Sequence, residues 1–494
     1  GAGFGQIDLA KLVGQNGADM KARLVGQNGA DIVAGGGGNI VAGGGGNIVA
    51  GGGGNIVAGG GGNIFSQSGT GTPGRYVAGA LVFADTNDDR RLNNGESWDF
   101  TDASGHYQLF GGWGTLVLVG GTDTGTNLPF TATLTAPLGS TSISSLSTLA
   151  SGLAADDGDI DGAIRQLQTA LGLDSKIDFT VIDPIASTEN GDPSSAKIHV
   201  EMSKTMDTVF LIGAAFAGLG ADSSKAQLAA FKVMVDAIND KGSLGLSDKA
   251  TVSGLIGAVG TAVGIEASGI AAALVEGVTS TNQLIDKLLV DKGAGTDLTG
   301  AISMVETAVQ GSLSAGLKAS AGDANKLGPA ALLLQASTDD GKGVVTPGHV
   351  VTITLTTSEA VTVVGAPTLQ LSNGKVAVFS GGSGSSSLVF KYTAQAGSGA
   401  GDLDVTGLSL GTGGSIKDNS GNALAGTVSA DLGLALDTGA LVTIAVLDAM
   451  KGEGSTGGTT AFTFSLARTG DTSVSHSVSW SVAGTGAFGG DAQD

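Results

Sequence analysis

Cysteine is absent from this sequence of 494 residues, and histidine occurs only four times. Without cysteine the chain can form no disulfide, no thiolate metal site and no cysteine nucleophile. That absence is compatible with export and equally with the cytosol. No histidine has a partner at metal-ligand spacing, so we expect isolated surface or packing residues at His106, His199, His349 and His476.

Proline and charged residues are also scarce, with 8 prolines and 14% charged residues. The low proline content excludes collagen, although glycine takes 87 positions. Acidic groups outnumber basic groups by 45 to 24, which gives a formal net charge of −21. Because nucleic-acid binding relies on clustered Lys and Arg, this charge argues against nucleic acid and anionic membrane surfaces as partners.

Long apolar runs are missing as well. The most apolar helical stretch, 208–220, is about 13 residues long, whereas a membrane-spanning helix needs about 18 to 20. We therefore expect no transmembrane segment. No basic region precedes an apolar one near residue 1, so no secretory signal is visible there.

What the sequence does contain is an internal repeat within residues 12–64. The octad Val-Ala-Gly-Gly-Gly-Gly-Asn-Ile occurs four times without change, beginning at Val33, Val41, Val49 and Val57. Each octad offers a short extended run and a glycine turn, which predicts a β-solenoid or a small meander with two octads per turn. The alternative is a flexible glycine linker. Stacking would place isoleucines inside and form a polar ladder from Asp31, Asn39, Asn47, Asn55 and Asn63.

The rest of the chain alternates between strand-like and helix-like periodicity, which predicts a multidomain protein of mixed fold class. With 41% apolar residues the chain can bury real cores. The predicted domains are a solenoid-like β-repeat at 1–68, a small β-sandwich at 69–138, an α-helical bundle at 139–330, a β-sandwich at 331–440 and a partial β-sandwich at 441–494. The bundle's helices are expected at 160–173, 196–219, 223–239, 252–265, 281–291 and 298–317.

The strongest site motif is the acidic loop, residues 85–96, between two predicted strands. Calcium takes six to eight oxygen ligands, and the spacing of oxygen-bearing residues here fits a calcium-binding loop. Arg90 occupies the position of the usual turn glycine, where we expect a strained positive φ. The alternative is a solvated acidic turn. The predicted ligands are Asp85, Asn87, Asp89, Asn93 and Glu96, with the backbone carbonyl of Arg91.

The surroundings of this loop resemble a known kind of module. With Val82-Phe-Ala-Asp-Thr-Asn at its start and Thr101-Asp-Ala-Ser-Gly-His-Tyr-Gln-Leu109 after it, the segment resembles the collagen-adhesin B-type and carboxypeptidase-regulatory-like sandwiches of bacterial surface proteins. Those modules often carry a calcium loop. The resemblance therefore implies a calcium-stabilised sandwich on a cell surface.

Two later segments also resemble modules of large exported bacterial proteins. Val344-Val-Thr-Pro-Gly-His-Val-Val-Thr-Ile-Thr-Leu, with Ala366-Pro-Thr-Leu-Gln-Leu371, looks like an immunoglobulin-like adhesin repeat. Val442-Thr-Ile-Ala-Val-Leu, with Lys451-Gly-Glu-Gly454, is similar to the Calx-beta module. The Calx-beta resemblance implies calcium ligands at Glu453, Asp491 and Asp494.

Catalytic motifs do not rise above chance. Gly407-Leu-Ser-Leu-Gly411 has nucleophile-elbow spacing but lies in a predicted strand. Gly69-Thr-Gly-Thr-Pro-Gly74 has dinucleotide-loop spacing without a preceding strand or a following helix. We therefore do not expect an enzyme.

The function expected from the sequence is that of a structural, calcium-stabilised extracellular surface protein. It would form a fibre or surface layer by self-association into a homopolymer, or act as an adhesin for a host or surface glycan or protein. One alternative is a carbohydrate-active or hydrolytic secreted enzyme with its activity in the helical region, which a cleft with paired carboxylates of raised pKa would support. The other is the stalk of a longer adhesin.

Overall fold

The structure is a computed structural model that divides the chain into two compact units. The N-terminal unit comprises 1–333 and 417–426, and the C-terminal unit comprises 334–416 and 427–494. The mixed fold class is confirmed, because the described chain contains both β-sheets and helices. The five predicted domain boundaries stay predictions. The residues described are 24–25, 32–35, 40–43, 48–51, 56–59, 66–398, 400–425, 428–437, 440–447, 460–470 and 479–481.

The glycine-rich repeat forms short strands, one for each Ile-Val-Ala-Gly run. Alternate octads pair in parallel and in register, so that Ile32 pairs with Ile48 and Ile40 pairs with Ile56. This is the register that two octads per turn require. The predicted polar ladder, Asp31 and the four asparagines, lies outside the described residues. The strands are β1 (Leu24–Val25), β2 (Ile32–Gly35), β3 (Ile40–Gly43), β4 (Ile48–Gly51) and β5 (Ile56–Gly59).

The repeat continues into the sheets of the following segment. Phe110 pairs with Ala50, which places β4 and β2 in a five-stranded sheet of order β14-β6-β10-β4-β2. A second sheet has the order β13-β11-β8-β9. These strands are β6 (Ser66–Gly71), β7 (Val77–Ala78), β8 (Leu81–Asp85), β9 (Trp98–Phe100), β10 (His106–Phe110), β11 (Thr115–Val119), β12 (Thr122–Asp123), β13 (Thr133–Ala136) and β14 (Ser142–Ile143).

Helices fill the region where the sequence periodicity predicts them, but those at 145–153 and 184–189 are not predicted, and the predicted helix at 298–317 is divided. Aspartates begin most of the helices. The side chains of Asp159, Asp192, Asp222 and Asp248 each accept a hydrogen bond from a backbone N–H of the first turn, as N-cap residues do. The described helices are α1 (Ser145–Leu153), α2 (Ile160–Leu171), α3 (Pro184–Glu189), α4 (Pro193–Gly218), α5 (Ser223–Lys241), α6 (Lys249–Val263), α7 (Ala271–Lys292), α8 (Thr296–Ala308) and α9 (Ser314–Ser320), with a π turn at Val309–Leu313 and a 3₁₀ turn at Ala324–Lys326.

The strands within residues 66–143 and the helices share one hydrophobic core. Leu118 of β11 and Leu134 of β13 belong to the same buried cluster as Leu149 of α1 and Val209 of α4. At the junction, the hydroxyl of Thr148 accepts a hydrogen bond of 2.9 Å from the Thr135 N–H. These strands and helices are therefore one packed body within the N-terminal unit.

The C-terminal unit is built on strands that alternate between buried and exposed side chains. Val351, Ile353 and Leu355 of the long strand Val350–Val364 are fully buried, while the residues between them are partly exposed, as period-2 alternation predicts. One nine-stranded sheet runs β15-β17-β20-β19-β18-β21-β23-β16, and β22 pairs with β17. Its strands are β15 (Ala331–Thr338), β16 (Val344–Val345), β17 (Val350–Val364), β18 (Thr368–Leu371), β19 (Val376–Gly381), β20 (Ser385–Thr393), β21 (Ala400–Ser409), β22 (Ser415–Lys417) and β23 (Ala430–Asp437).

The last described strands form a separate antiparallel hairpin. Strand β24 (Ala440–Val446) pairs along its whole length with β25 (Phe464–Gly470). Ile444 stands opposite Leu466, and Val446 stands opposite Phe464. Within the described chain this hairpin is a sheet of two strands.

Gly114 allows a test of how closely the chain before β11 packs against the start of the acidic loop. Its φ is +130°, and a Cβ atom there would lie 1.9 Å from the carbonyl oxygen of Asp85. Gly120 has a φ of +69° but open space around the same position. We expect Gly120→Ala to cost about 1–2 kcal/mol from the positive φ alone, and Gly114→Ala to cost clearly more because the added methyl overlaps backbone. Urea unfolding of both variants measures the difference, and equal losses would contradict it.

Candidate functional site

The acidic loop begins with a buried carboxylate that organises its backbone. Asp85, at the end of β8, is 1% exposed. Its Oδ2 accepts a hydrogen bond of 2.7 Å from the N–H of Arg90, and its Oδ1 accepts one of 3.3 Å from the N–H of Asn87. The first residue of the loop is thereby tied to the sixth, which bends the chain around the loop's interior.

Glu96 closes the loop from its other end. Its Oε1 accepts from the N–H and the hydroxyl of Thr86 at 2.8 and 3.1 Å, and its Oε2 accepts from the N–H of Asn93 at 2.7 Å. Both carboxylate oxygens therefore bind loop groups. Asp85 and Glu96 are thus framework residues of the loop in the geometry seen here.

The remaining predicted ligands meet around one amide group. The Nδ2 of Asn93 lies 3.0 Å from both carboxylate oxygens of Asp89 and 3.0 Å from the carbonyl oxygen of Arg91. Asn87 donates to Asp89 as well, at 3.3 Å. The hydrogen bond from Asn93 is the largest cause holding the pKa of Asp89 below its ordinary value. The loop therefore brings predicted oxygen ligands into mutual contact at the exposed Asp89.

The backbone at Arg90 has the conformation that the loop spacing predicts. Its φ is +58°, and that of Asp88 is +57°, both in the left-handed region that favours glycine. The turn thus forms with a bulky residue at the glycine position, which stores strain. The other predicted ligands, Glu453, Asp491 and Asp494, lie outside the described residues.

A different group of side chains has the closer metal-ligand geometry. Among the described residues, one set of three His, Asp or Glu side chains brings its ligand atoms within 4.8 Å of one another: Asp339, Asp340 and His349 of the C-terminal unit. The carboxylates of the acidic loop form no such set, because Asp85 and Glu96 turn toward loop backbone. Residue spacing alone does not connect His349 with these carboxylates, since they are about ten residues away along the chain and meet it only through the fold.

The other described histidines are one buried packing residue and one surface residue. His199 is fully buried, and its Nε2 lies 2.8 Å from the Gly74 carbonyl oxygen. Burial lowers its pKa to about 4, so it is neutral at pH 7. His106 is exposed, with its Nδ1 3.5 Å from one carboxylate, that of Asp102. His476 lies outside the described residues.

The N-terminal unit contains buried carboxyl groups that spacing did not single out. Asp123 of β12, Asp207 of α4 and Glu306 of α8 are each no more than 2% exposed. Burial, and after it the charge of Asp123, raises the pKa of Glu306 to about 8. Burial, and after it the charge of Glu306, raises the pKa of Asp207 well above its ordinary value. At neutral pH the cluster therefore retains protons that exposed carboxylates would have lost.

Asp123 is the well-bonded member of this carboxyl cluster. Its Oδ1 accepts from the N–H groups of Gly125 and Thr126, and its Oδ2 accepts from the Nε2 of Gln310 at 2.9 Å. One oxygen each of Asp207 and Glu306 is buried without a protein hydrogen-bond partner. Burying an oxygen without a hydrogen-bond partner costs less free energy when the carboxyl group is protonated than when it is charged.

A cavity of about 270 Å³ lies beside the cluster. Gln310, which bonds Asp123, lines it, together with Phe210, Gln227 and Lys318. None of the three carboxyl groups is among its lining residues. Two carboxyl groups of raised pKa, Asp207 and Glu306, thus lie in the helical region, but neither lines this cavity.

Comparison with known proteins returns no match: neither a family model, nor a curated protein, nor a solved structure corresponds to this chain. The resemblances to bacterial surface modules therefore stay predictions. Along the described helices, none combines the length and apolar character needed to cross a bilayer.

The carboxyl cluster predicts a pH dependence of stability. Because the pKa of Glu306 is raised on folding, the folded state holds its proton above the ordinary pKa of 4.5, so this stabilisation is complete below that pH, falls as pH rises from 4.5 to about 8, and changes little at higher pH. We expect Glu306→Gln to flatten the loss between pH 6.5 and 8, by about 2 kcal/mol at the upper end. Urea unfolding at each pH measures it.

The matched control is Glu266→Gln, an exposed glutamate with the same change of charge. This variant should show the same dependence of unfolding free energy on pH as the wild type. His199 does not interfere in this range, since its lowered pKa costs stability only as pH falls from 6.5 toward about 4. If Glu306→Gln kept the pH dependence of the wild type, the raised pKa of Glu306 would be contradicted.

Proposed function

We propose that this chain is a structural protein of an extracellular surface, that it self-associates through β-sheet faces, and that calcium stabilises it at the acidic loop. Assembly would produce a fibre, a surface layer or an adhesive surface. The proposal follows the resemblance to bacterial surface modules. The observation that carries it is the exposed apolar face of the β24–β25 hairpin.

That face is formed by two pairs of cross-strand neighbours. Ile444 and Leu466 are 64% and 61% exposed, and Val446 and Phe464 are 56% and 43% exposed. Residues two apart in a strand point to the same side, so these four side chains share one face. A two-stranded hairpin is marginally stable in water by itself. An apolar surface of this kind is typical of an interaction site.

Self-association can be measured by analytical ultracentrifugation in millimolar calcium. We expect the wild type to sediment as species larger than a monomer and Ile444→Lys to shift the distribution toward monomer, because a charge cannot be buried unpaired in an apolar contact. Val378→Lys is the matched control, since Val378 is a 52% exposed strand valine in the other sheet of the C-terminal unit. A monodisperse wild-type monomer would count against the proposal.

The loop geometry supports calcium as the stabilising ion. Calcium prefers carboxylate and carbonyl oxygens, and those of Asp89 and Arg91 already converge on the Asn93 amide. Rotation of that amide would present its own oxygen to an ion at the same place. Four acids, Asp85, Asp88, Asp89 and Glu96, lie within this loop, and a divalent cation would offset their repulsion.

Calcium stabilisation can be tested with one exposed ligand, because Asp89 takes little part in packing. We expect calcium to raise the thermal unfolding midpoint of the wild type, as any ligand bound only by the folded state does, and chelator to reverse the rise. Asp89→Ala should abolish the calcium response while leaving the midpoint in chelator nearly unchanged.

The control for Asp89→Ala is Asp102→Ala, which removes the same charge from a turn of the same segment. Asp102 accepts hydrogen bonds from the N–H groups of Ser104 and His106 and belongs to no predicted ligand set. Its variant should keep the full calcium response. Calcium responses lost alike in both variants would indicate general screening of charge rather than a site.

One observation favours the enzymatic alternative. Glu306 and Asp207 are paired carboxyl groups of raised pKa in the helical region, and perturbed pairs of this kind are common in active sites. An acid–base reaction would require substrate to reach these two carboxyl groups, neither of which lines the cavity. Hydrolysis of polysaccharide or ester substrates by the wild type, lost in Glu306→Gln, would establish this alternative.

A further inference from the structure

Asp339, Asp340 and His349 form a compact donor group at one end of the nine-stranded sheet. Asp339 and Asp340 lie in the turn after β15, and His349 immediately precedes β17. The Nδ1 of His349 is 2.8 Å from Oδ1 of Asp339 and 3.8 Å from Oδ2 of Asp340. The group thus combines one imidazole nitrogen with two carboxylate oxygens.

Backbone hydrogen bonds fix both halves of this group. The Asp339 N–H donates to the Val350 carbonyl at 3.0 Å, which ties the turn to the start of β17. The His349 carbonyl accepts from the Ala394 N–H at 3.0 Å, which ties the histidine to the end of β20. The donors are therefore held by two neighbouring strand ends and are not on free loops.

The separations of the donor atoms fit a small divalent ion. Zinc binds imidazole nitrogen and carboxylate oxygen at about 2.0–2.2 Å in tetrahedral geometry, so its ligand atoms lie about 3.3 Å apart. The two distances from His349 bracket that value. We propose that Asp339, Asp340 and His349 bind a divalent transition metal ion such as zinc, with the remaining position open to water.

The donor types select the class of metal. Imidazole suits zinc, copper and nickel, whereas calcium and magnesium prefer all-oxygen sites. The same group therefore differs in kind from the acidic loop, whose predicted donors are all oxygen atoms. Binding would replace the hydrogen bond that now joins His349 to Asp339 and would draw Asp340 away from the Lys342 ammonium, 3.3 Å from it.

The chain contains a matched pair that lacks the second carboxylate. His106 and Asp102 form an exposed histidine–aspartate contact of 3.5 Å in the N-terminal unit. No other described carboxylate or histidine joins them within metal-ligand distance. If one exposed histidine and one aspartate were enough to bind zinc, the His106–Asp102 pair and the group at His349 would bind it equally.

The test is isothermal titration of the full chain with zinc chloride, after chelator treatment. We expect zinc to bind, and His349→Ala and Asp339→Asn each to weaken its tightest site at least tenfold, as loss of a ligand does. His106→Ala should bind zinc as the wild type does. Circular dichroism checks folding, which Asp339→Asn should preserve because asparagine keeps the shape of the turn.

Two results would overturn the proposal: no zinc binding by the wild type, or binding that His349→Ala and Asp339→Asn leave unchanged. The outcome is independent of the proposed calcium stabilisation. Asp89→Ala should leave the zinc titration unaltered, and millimolar calcium should not displace zinc. Failure of the calcium test therefore leaves the zinc prediction standing, and the reverse also holds.

Discussion

Helix α4 is buried around most of its circumference, and each buried charged side chain along it must find a partner inside the protein or give up its charge. Lys204 finds two partners, with its Nζ 3.0 Å from Glu201 and 2.9 Å from Asp286. Although burial lowers the pKa of Lys204, the charge of Glu201 and the bond to Asp286 raise it overall. Asp207, farther along the same helix, has acidic neighbours instead, and its pKa rises.

The burial of α4 also explains why the strands of the N-terminal unit and the helices share a core. Phe210 of α4 meets Phe130, which precedes β13, edge to face, with ring centroids 5.7 Å apart. His199 of α4 forms a hydrogen bond with the carbonyl of Gly74, which precedes β7. A helix enclosed by both strands and helices cannot be removed without exposing the apolar faces of each. The carboxyl cluster lies within this enclosed volume, which is why its members are so poorly hydrated.

Local sequence signals predict those helices and strands whose ends or faces are fixed by side chains close by along the chain. An aspartate cap and the apolar spacing of α5 predict that this helix starts at residue 223, and it does. The alternation of apolar and polar residues predicts β17. The start of α7 was predicted at residue 281, but the helix begins at Ala271 without any side-chain cap hydrogen bond. No local signal marks that start. The positive φ of Arg90 was predictable because it follows from the loop's own spacing.

Contacts between distant residues could not be predicted from spacing. Asp123, Asp207 and Glu306 come from three separate elements, and only the packing of α4 places them together. His349 meets Asp339 because neighbouring strand ends coincide, which no single-sequence pattern records. The sequence therefore does not predict this carboxyl cluster, and the enzyme alternative names only the kind of feature, paired acids in a cleft, that would support it.

The pairing of alternate octads has a consequence for length variation in the repeat. Odd and even units enter different sheets: β2 and β4 join the five-stranded sheet, whereas β1, β3 and β5 form the three-stranded one. The strand β10 pairs with only one of these two sheets. Deleting one octad would therefore move every earlier unit from the sheet that contains β10 to the other sheet, or the reverse. Deleting two would restore the original alternation. A change of copy number in even steps would thus preserve the pairing between the repeat and β10, whereas an odd step would not.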